Sequence, residues 1–175
     1  MKKNLIAVAV LASSAFGISA FAADGQVNFT GEIIDAGCTV VNTPANPLEV
    51  KLGKVARSAF TQAGDTAAAT GFTLQLTNCP DTVGTATVKF DGTSVNGDSN
   101  LLALTQGAGV ATGVAIQLTD NTDSILPLAT ASKAYSLQSG SAVNDLDFVA
   151  RYISTSNTVT AGPANSMASF TINYN

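Results

Sequence analysis

The sequence predicts an all-β protein built as an antiparallel sandwich, and three observations carry that expectation. Apolar and polar residues alternate with period two along most of the chain, turn-forming residues separate the runs, and helical periodicity is almost absent. Alternation at that period sends successive side chains to opposite faces of a strand, so one face can be buried while the other stays in water. Only residues 55–60 or 66–70 could form a helical turn.

The first element is a leader. Met1, Lys2 and Lys3 form a basic start, residues 5–21 an apolar run, and Ala20, Phe21 and Ala22 a small-residue exit. That layout describes a secretory signal over residues 1–22, cleaved after Ala22 or Ala23. The rival is a membrane anchor, and the small-residue exit argues against it. No later stretch is apolar and long enough to span a bilayer, so an exported, soluble chain of about 150 residues is expected, enough for one domain with a core.

Next comes a segment over residues 23–35 that puts Val27, Phe29, Gly31, Ile33 and Asp35 on one face, with a bare glycine in the middle. It reads either as an ordinary first strand, with Gly31 at a bulge or close approach, or as a row of knobs meant for a groove in another molecule. The residues alone leave both open. Beyond it, residues 36–175 form the domain.

Phe72, Leu74 and Leu76 mark one strand, Ala86, Val88 and Phe90 a second, and Val114, Ile116 and Leu118 a third. Leu146, Phe148, Ala150 and Tyr152 mark a fourth. Turn signals fall between the runs, at 42–47, Asp91-Gly92, Asn96-Gly97-Asp98, 107–113, Ser139-Gly140 and Gly162-Pro163. The chain closes on Phe170, Ile172 and Tyr174, again apolar at every second position. Matching alternation at both ends suits a protein that joins copies of itself through sheet edges.

Composition narrows the function. The whole chain carries 8 basic and 12 acidic side chains, for a net charge of −4, and loss of Lys2 and Lys3 with the leader makes it more acidic still. Lys51, Lys54 and Arg57 are the one close basic group, with Glu49 beside them, so nucleic acid is not an expected partner. Only 11% of residues are charged against 46% hydrophobic, which suggests a surface that meets other protein. The two cysteines, Cys38 and Cys79, are expected to form a disulfide in an oxidising compartment. Closing a loop of about forty residues stabilises by about 4 kcal/mol in the chain-entropy model.

Catalysis finds few parts. The chain has no histidine, which removes the commonest general base and metal ligand. Asp91, Asp98, Asp120 and Asp123 stand in turn contexts, where short acids bond nearby backbone. Asp145 and Asp147 alternate on the polar face of a strand, without the third ligand, glycine and glutamate of a calcium loop. Gly107-Ala108-Gly109 lacks the lysine and helix of a phosphate-binding loop. No enzyme activity, metal or cofactor is expected.

Longer stretches now bring a resemblance. The run Phe29-Thr-Gly31-Glu-Ile33-Ile34-Asp-Ala-Gly-Cys38 is similar to the start of chaperone–usher fimbrial subunits, in particular the type 1 fimbrial major subunits of Gram-negative bacteria. The likeness continues through Val50-Lys-Leu-Gly53, Phe60-Thr, Gly64-Asp65, Phe72-Thr-Leu-Gln-Leu-Thr-Asn-Cys79 and Phe148-Val-Ala-Arg151-Tyr152, and ends on the penultimate Tyr174 and on Gly162, fourteenth from the C-terminus. The resemblance implies an incomplete immunoglobulin-like sandwich whose missing strand is donated in trans. It implies that Val27, Phe29, Ile33 and Asp35 fill pockets of a neighbour's groove, with Gly31 at a shallow one. It further implies that the C-terminal strand, with Gly162, Phe170, Ile172 and Tyr174, pairs with a periplasmic chaperone until an outer-membrane usher exchanges it for the next subunit.

The expected function is thus the structural subunit of a surface fimbria, polymerising with its own copies and with tip subunits to support adhesion. A minor adaptor or tip subunit, or a secreted carbohydrate-binding module, is the alternative; tip adhesins of this family carry an additional lectin domain, for which the chain leaves no room.

Overall fold

A computed structural model describes residues 25–34 and 37–175. The leader expected over residues 1–22 and the knob-row residue Asp35 lie outside the described residues. The chain divides into two units, Met1–Ile33 and Ile34–Asn175.

The larger unit is a two-layer antiparallel sandwich. Its strands are β1 (Thr39–Val40), β2 (Thr66–Thr77), β3 (Thr85–Asp91), β4 (Ser94–Val95), β5 (Asp98–Leu102), β6 (Val114–Asp120), β7 (Tyr135–Ser136), β8 (Asn144–Ser154) and β9 (Ser169–Tyr174). One sheet runs in the order β1-β2-β8-β6-β5-β4 and the other β7-β3-β9. Each alternating run in the sequence falls on a strand: Phe72–Leu76 on β2, Ala86–Phe90 on β3, Val114–Leu118 on β6 and Leu146–Tyr152 on β8.

The long central pair sets the register. Phe72 lies opposite Phe148 and Leu74 opposite Leu146, so the two inward rows coincide. β3 faces them from the other sheet with Ala86, Val88 and Phe90, all almost fully buried. Phe90 stands edge-on to Phe148 with ring centres 5.1 Å apart, and Phe72 stands 6.0 Å from Phe90, so three aromatics bridge the layers. Each fully buried ring or branched side chain contributes about 1.5–3 kcal/mol, which makes this cluster the centre of the fold.

Turn chemistry follows the sequence closely at Asn96-Gly97. Val95 pairs with Asp98, leaving a two-residue loop whose φ angles are 51° and 83°. Positive φ at both positions is the twist-matched hairpin turn for which Asn-Gly is the preferred pair.

Two helical turns were conceivable from the sequence, and one forms. Arg57–Ala59 is a single 3-10 turn. Residues 66–70 instead open β2, with a register shift between Ala67 and Thr70 and Ala68 at φ 56°. The long β8 beside them offers backbone partners that an isolated helical turn of five residues lacks.

Candidate functional site: an open sheet edge and an unpaired extension

β9 is the last strand of the smaller sheet and has one neighbour, β3. Its register runs from Ser169 opposite Asp91 to Tyr174 opposite Ala86, and Asn175 continues the ladder by donating its N–H to Thr85 at 3.0 Å. The outer edge of β9 meets no strand among the described residues. Its inward row is correspondingly incomplete. Phe170, Ile172 and Tyr174 pack on the core but stay half-buried, whereas their partners on β3, Phe90, Val88 and Ala86, are 0–4% exposed. A sheet edge with unused donors and acceptors beside half-covered apolar side chains is a template for another strand.

A second apolar row lacks a ladder. Residues 47–56 belong to no strand, yet Val50 and Leu52 are half-buried on the core at strand spacing, and Val55 and Phe60 join them. Leu48 continues the row outward and is exposed. Sequence patterning did not single out this row, because only Leu48, Val50 and Leu52 alternate before Gly53, at φ 72°, ends the pattern.

The extension, residues 25–34, forms no strand. Val27, Phe29 and Ile33 are 74%, 93% and 98% exposed. Exposure of this order for three large apolar side chains at alternate positions is unusual for a soluble surface and marks a contact surface. Gly31 adds a telling detail. A Cβ built on it would meet nothing within 4 Å, and its φ lies outside the left-handed region, so nothing in its own surroundings requires glycine.

Other glycines are held by their surroundings. A Cβ on Gly162 would lie 2.1 Å from the Gly109 carbonyl oxygen and 2.6 Å from the Ala111 nitrogen. Gly162 thus sits in the segment before β9, pressed against another loop, and not on the strand with Phe170, Ile172 and Tyr174. A Cβ on Gly37 would lie 2.6 Å from the Tyr174 ring, whose hydroxyl reaches the Cys38 carbonyl at 3.4 Å. The penultimate tyrosine therefore packs over the start of the domain, and burial raises its pKa above the ordinary phenol value.

Cys38 and Cys79 form the expected disulfide, both buried. It ties the entry of the domain to the residue just beyond β2. Asn144, which sequence patterning did not single out, secures that corner. Its side-chain amide donates to the Gln138 carbonyl at 3.0 Å and lies 3.5 Å from Cys79 Sγ, while its oxygen accepts the Gln138 N–H at 2.7 Å.

Several carboxylates are engaged in turns and cross-strand pairs. Asp120 Oδ1 accepts from the Thr122 hydroxyl and N–H and from the Ser124 N–H at 2.7–3.0 Å. Asp147 accepts from Thr73 and Asp145 from Gln75 across β8 and β2, on an exposed face. Among the described residues, no group of three His, Cys, Asp or Glu side chains is placed to hold a metal. No helix there is long and apolar enough to cross a membrane.

An immunoglobulin-like antiparallel sandwich with an open edge defines the class: an incomplete pilin fold. The Fimbrial protein family matches residues 27–175, and the chain belongs to that family. It is 37% identical over 171 residues to long polar fimbria protein A of Salmonella typhimurium, covering 97% of this chain and 93% of that one. It is 36% identical over 176 residues to a protein of Escherichia coli O157:H7 described as a "Probable major fimbrial subunit", covering 99% and 97%. Among solved structures, a chaperone–usher pilus described for the basis of rod uncoiling is similar with a TM-score of 0.64 and 26% identity, over 87% of this chain and 96% of that one. The chain is a fimbrial subunit of the chaperone–usher class, whose members are exported to the cell surface as pili and polymerise with other subunits.

Proposed function

We propose that the chain is a major subunit that builds a fimbrial rod by strand donation, the segment 23–35 of each copy completing the sandwich of the next. The observation that carries this reading is the presence in one chain of an unfilled sheet edge and an exposed extension with alternating apolar side chains. The half-buried row of β9 and the unladdered row of 47–56 are taken as the two walls of a groove. Val27, Phe29 and Ile33 supply alternate apolar side chains of the kind such a groove accepts, and Asp35 continues their face. Gly31 is then explained by the recipient: a shallow pocket in another copy excludes a side chain that its own surroundings would tolerate.

Donation from copy to copy is a heterologous contact that does not close, so it generates a filament. Before assembly the same groove needs a cover, which a periplasmic chaperone strand alongside Phe170, Ile172 and Tyr174 supplies until exchange at an outer-membrane usher. Residues 1–22 act as the export signal and residues 36–175 as the pilin domain. The role is structural, without catalysis.

The test is assembly in the native host. Sheared surface fibres, run unheated on a denaturing gel, are expected to give a ladder that boiling collapses to one band. Deleting residues 23–34 is expected to leave a folded, chaperone-held subunit that forms no ladder. A normal ladder from the deletion variant would overturn strand donation.

A further inference from the structure

Basic side chains are few in this protein, and their distribution is uneven. Lys89 lies 3.4 Å from Asp91, Lys133 lies 3.7 Å from Asp120, and Arg151 lies 2.7 Å from Asp123. The remaining three outside the leader, Lys51, Lys54 and Arg57, are exposed and make no salt bridge among the described residues. Lys51 and Lys54 fall on the 47–56 segment, which has an apolar row but no ladder, and Arg57 follows it at the start of the 3-10 turn. Val50, Leu52 and Val55 turn toward the core there, which leaves Lys51 and Lys54 at exposed positions between them. At about 3.3 Å per extended residue, the three cations span no more than roughly 20 Å, the length of a six-residue strand. Arg57 also lines the rim of an open cleft with Phe60, Asn157 and Val159.

We propose that Lys51, Lys54 and Arg57 form a cationic strip that attracts and aligns the acidic donor segment of a second copy. The inference rests on the strand-donation reading. The segment 24–35 contains Asp24, Glu32 and Asp35 and no basic side chain, while 48–59 contains the three cations against Glu49 alone. With Val27, Phe29 and Ile33 directed into a groove, Glu32 stands on the outer face, where Lys51 also stands. Side chains on one face of neighbouring strands come within about 5 Å, close enough for an ion pair. Individually such pairs are weak at a wet surface, but a strip of like charge raises encounter rates in a salt-dependent manner.

The context strengthens the need. Copies of a net-acidic chain repel one another, so a local positive strip beside the recipient edge favours approach in one place and one orientation. The exposed acids Asp145 and Asp147 are a less suitable partner surface, since each carboxylate already accepts a hydrogen bond from β2.

The experiment follows assembly of chaperone-held full-length mature subunits in vitro, by the unheated gel ladder, across a range of sodium chloride. Lys51→Glu with Lys54→Glu is expected to slow ladder growth about tenfold at low salt and to reverse the salt effect, so that added salt speeds the variant where it slows the unaltered chain. Asp24→Lys with Glu32→Lys, the two acids on the outer face of the segment, is expected to do the same, and subunits carrying both sets are expected to recover most of the rate. All four positions are tested in subunits whose disulfide and thermal unfolding match the unaltered chain. Unchanged rates for both reversals overturn the proposal, as does failure of the combined variant to recover. Recovery by Asp145→Lys with Asp147→Lys instead overturns it in favour of a lateral contact between copies, and loss confined to chaperone binding overturns it in favour of the chaperone. These outcomes are separable from failure of strand donation, in which the 23–34 deletion itself assembles.

Discussion

At the residue scale, glycine positions divide the molecule into what its own packing fixes and what a neighbour fixes. Gly162 is locked by the backbone of 109–111, and Gly31 is unconstrained by its surroundings. Gly162→Ala is therefore expected to lower stability by about 1–3 kcal/mol through overpacking, read as a lower urea midpoint of the purified subunit. Gly31→Leu is expected to leave that midpoint unchanged and to slow fibre assembly, because its cost appears only in the recipient. Equal midpoints for the two variants would contradict this division. The sequence marks both residues as glycines at notable positions, but identity alone does not reveal which atoms approach them.

At the element scale, β2 was legible from Phe72, Leu74 and Leu76, but its first half was not. Residues 66–70 are small, three alanines between two threonines, carry no alternation and leave a helical turn conceivable. The partner strand decides, since Thr66 pairs with Ile153 and Ala67 with Tyr152 before the shift at Thr70. Ala68 takes φ 56° at that shift, a conformation that costs a residue with a Cβ about 1–2 kcal/mol. Ala68→Gly is expected to raise stability by up to about 1 kcal/mol, after the loss of unfolded-state restriction, with the measured urea midpoint as the check. A fall in the midpoint would show that the alanine methyl contributes more packing than its strain removes. The row at 48–52 was missed for a related reason: an extended segment without a partner in its own chain has no ladder to confirm a short alternating pattern.

At the scale of the whole molecule, the absence of histidine shapes the response to pH. No side chain has an ordinary pKa between about 5 and 8, so stability is expected to be flat across that range. On the acid side, the Thr122 hydroxyl, with the Thr122 and Ser124 N–H groups and the Lys133 ammonium, holds the Asp120 carboxyl below its usual range. The Gln62 and Thr61 backbone N–H groups and the Thr61 hydroxyl do the same for Asp65. A depressed carboxylate contributes stability above its unfolded pKa of about 4 and loses it as pH falls through the folded value. On the alkaline side, burial pushes the Tyr135 hydroxyl up to about 12, so its contribution is complete below about 10 and declines as pH rises toward 12. Thermal midpoints measured across pH should show both limbs, and Asp120→Asn should flatten the acid one. By itself the sequence determined the all-β class, the strands with strong alternation, the cysteine pair and the apolar pattern at both ends, because each is written in local spacing. Only the tertiary structure decided that, among the described residues, β9 has a single neighbour, its inward row stays half-covered and the 47–56 segment has no ladder. Those are properties of which strands meet, and strand pairing is set by packing between residues far apart in the chain.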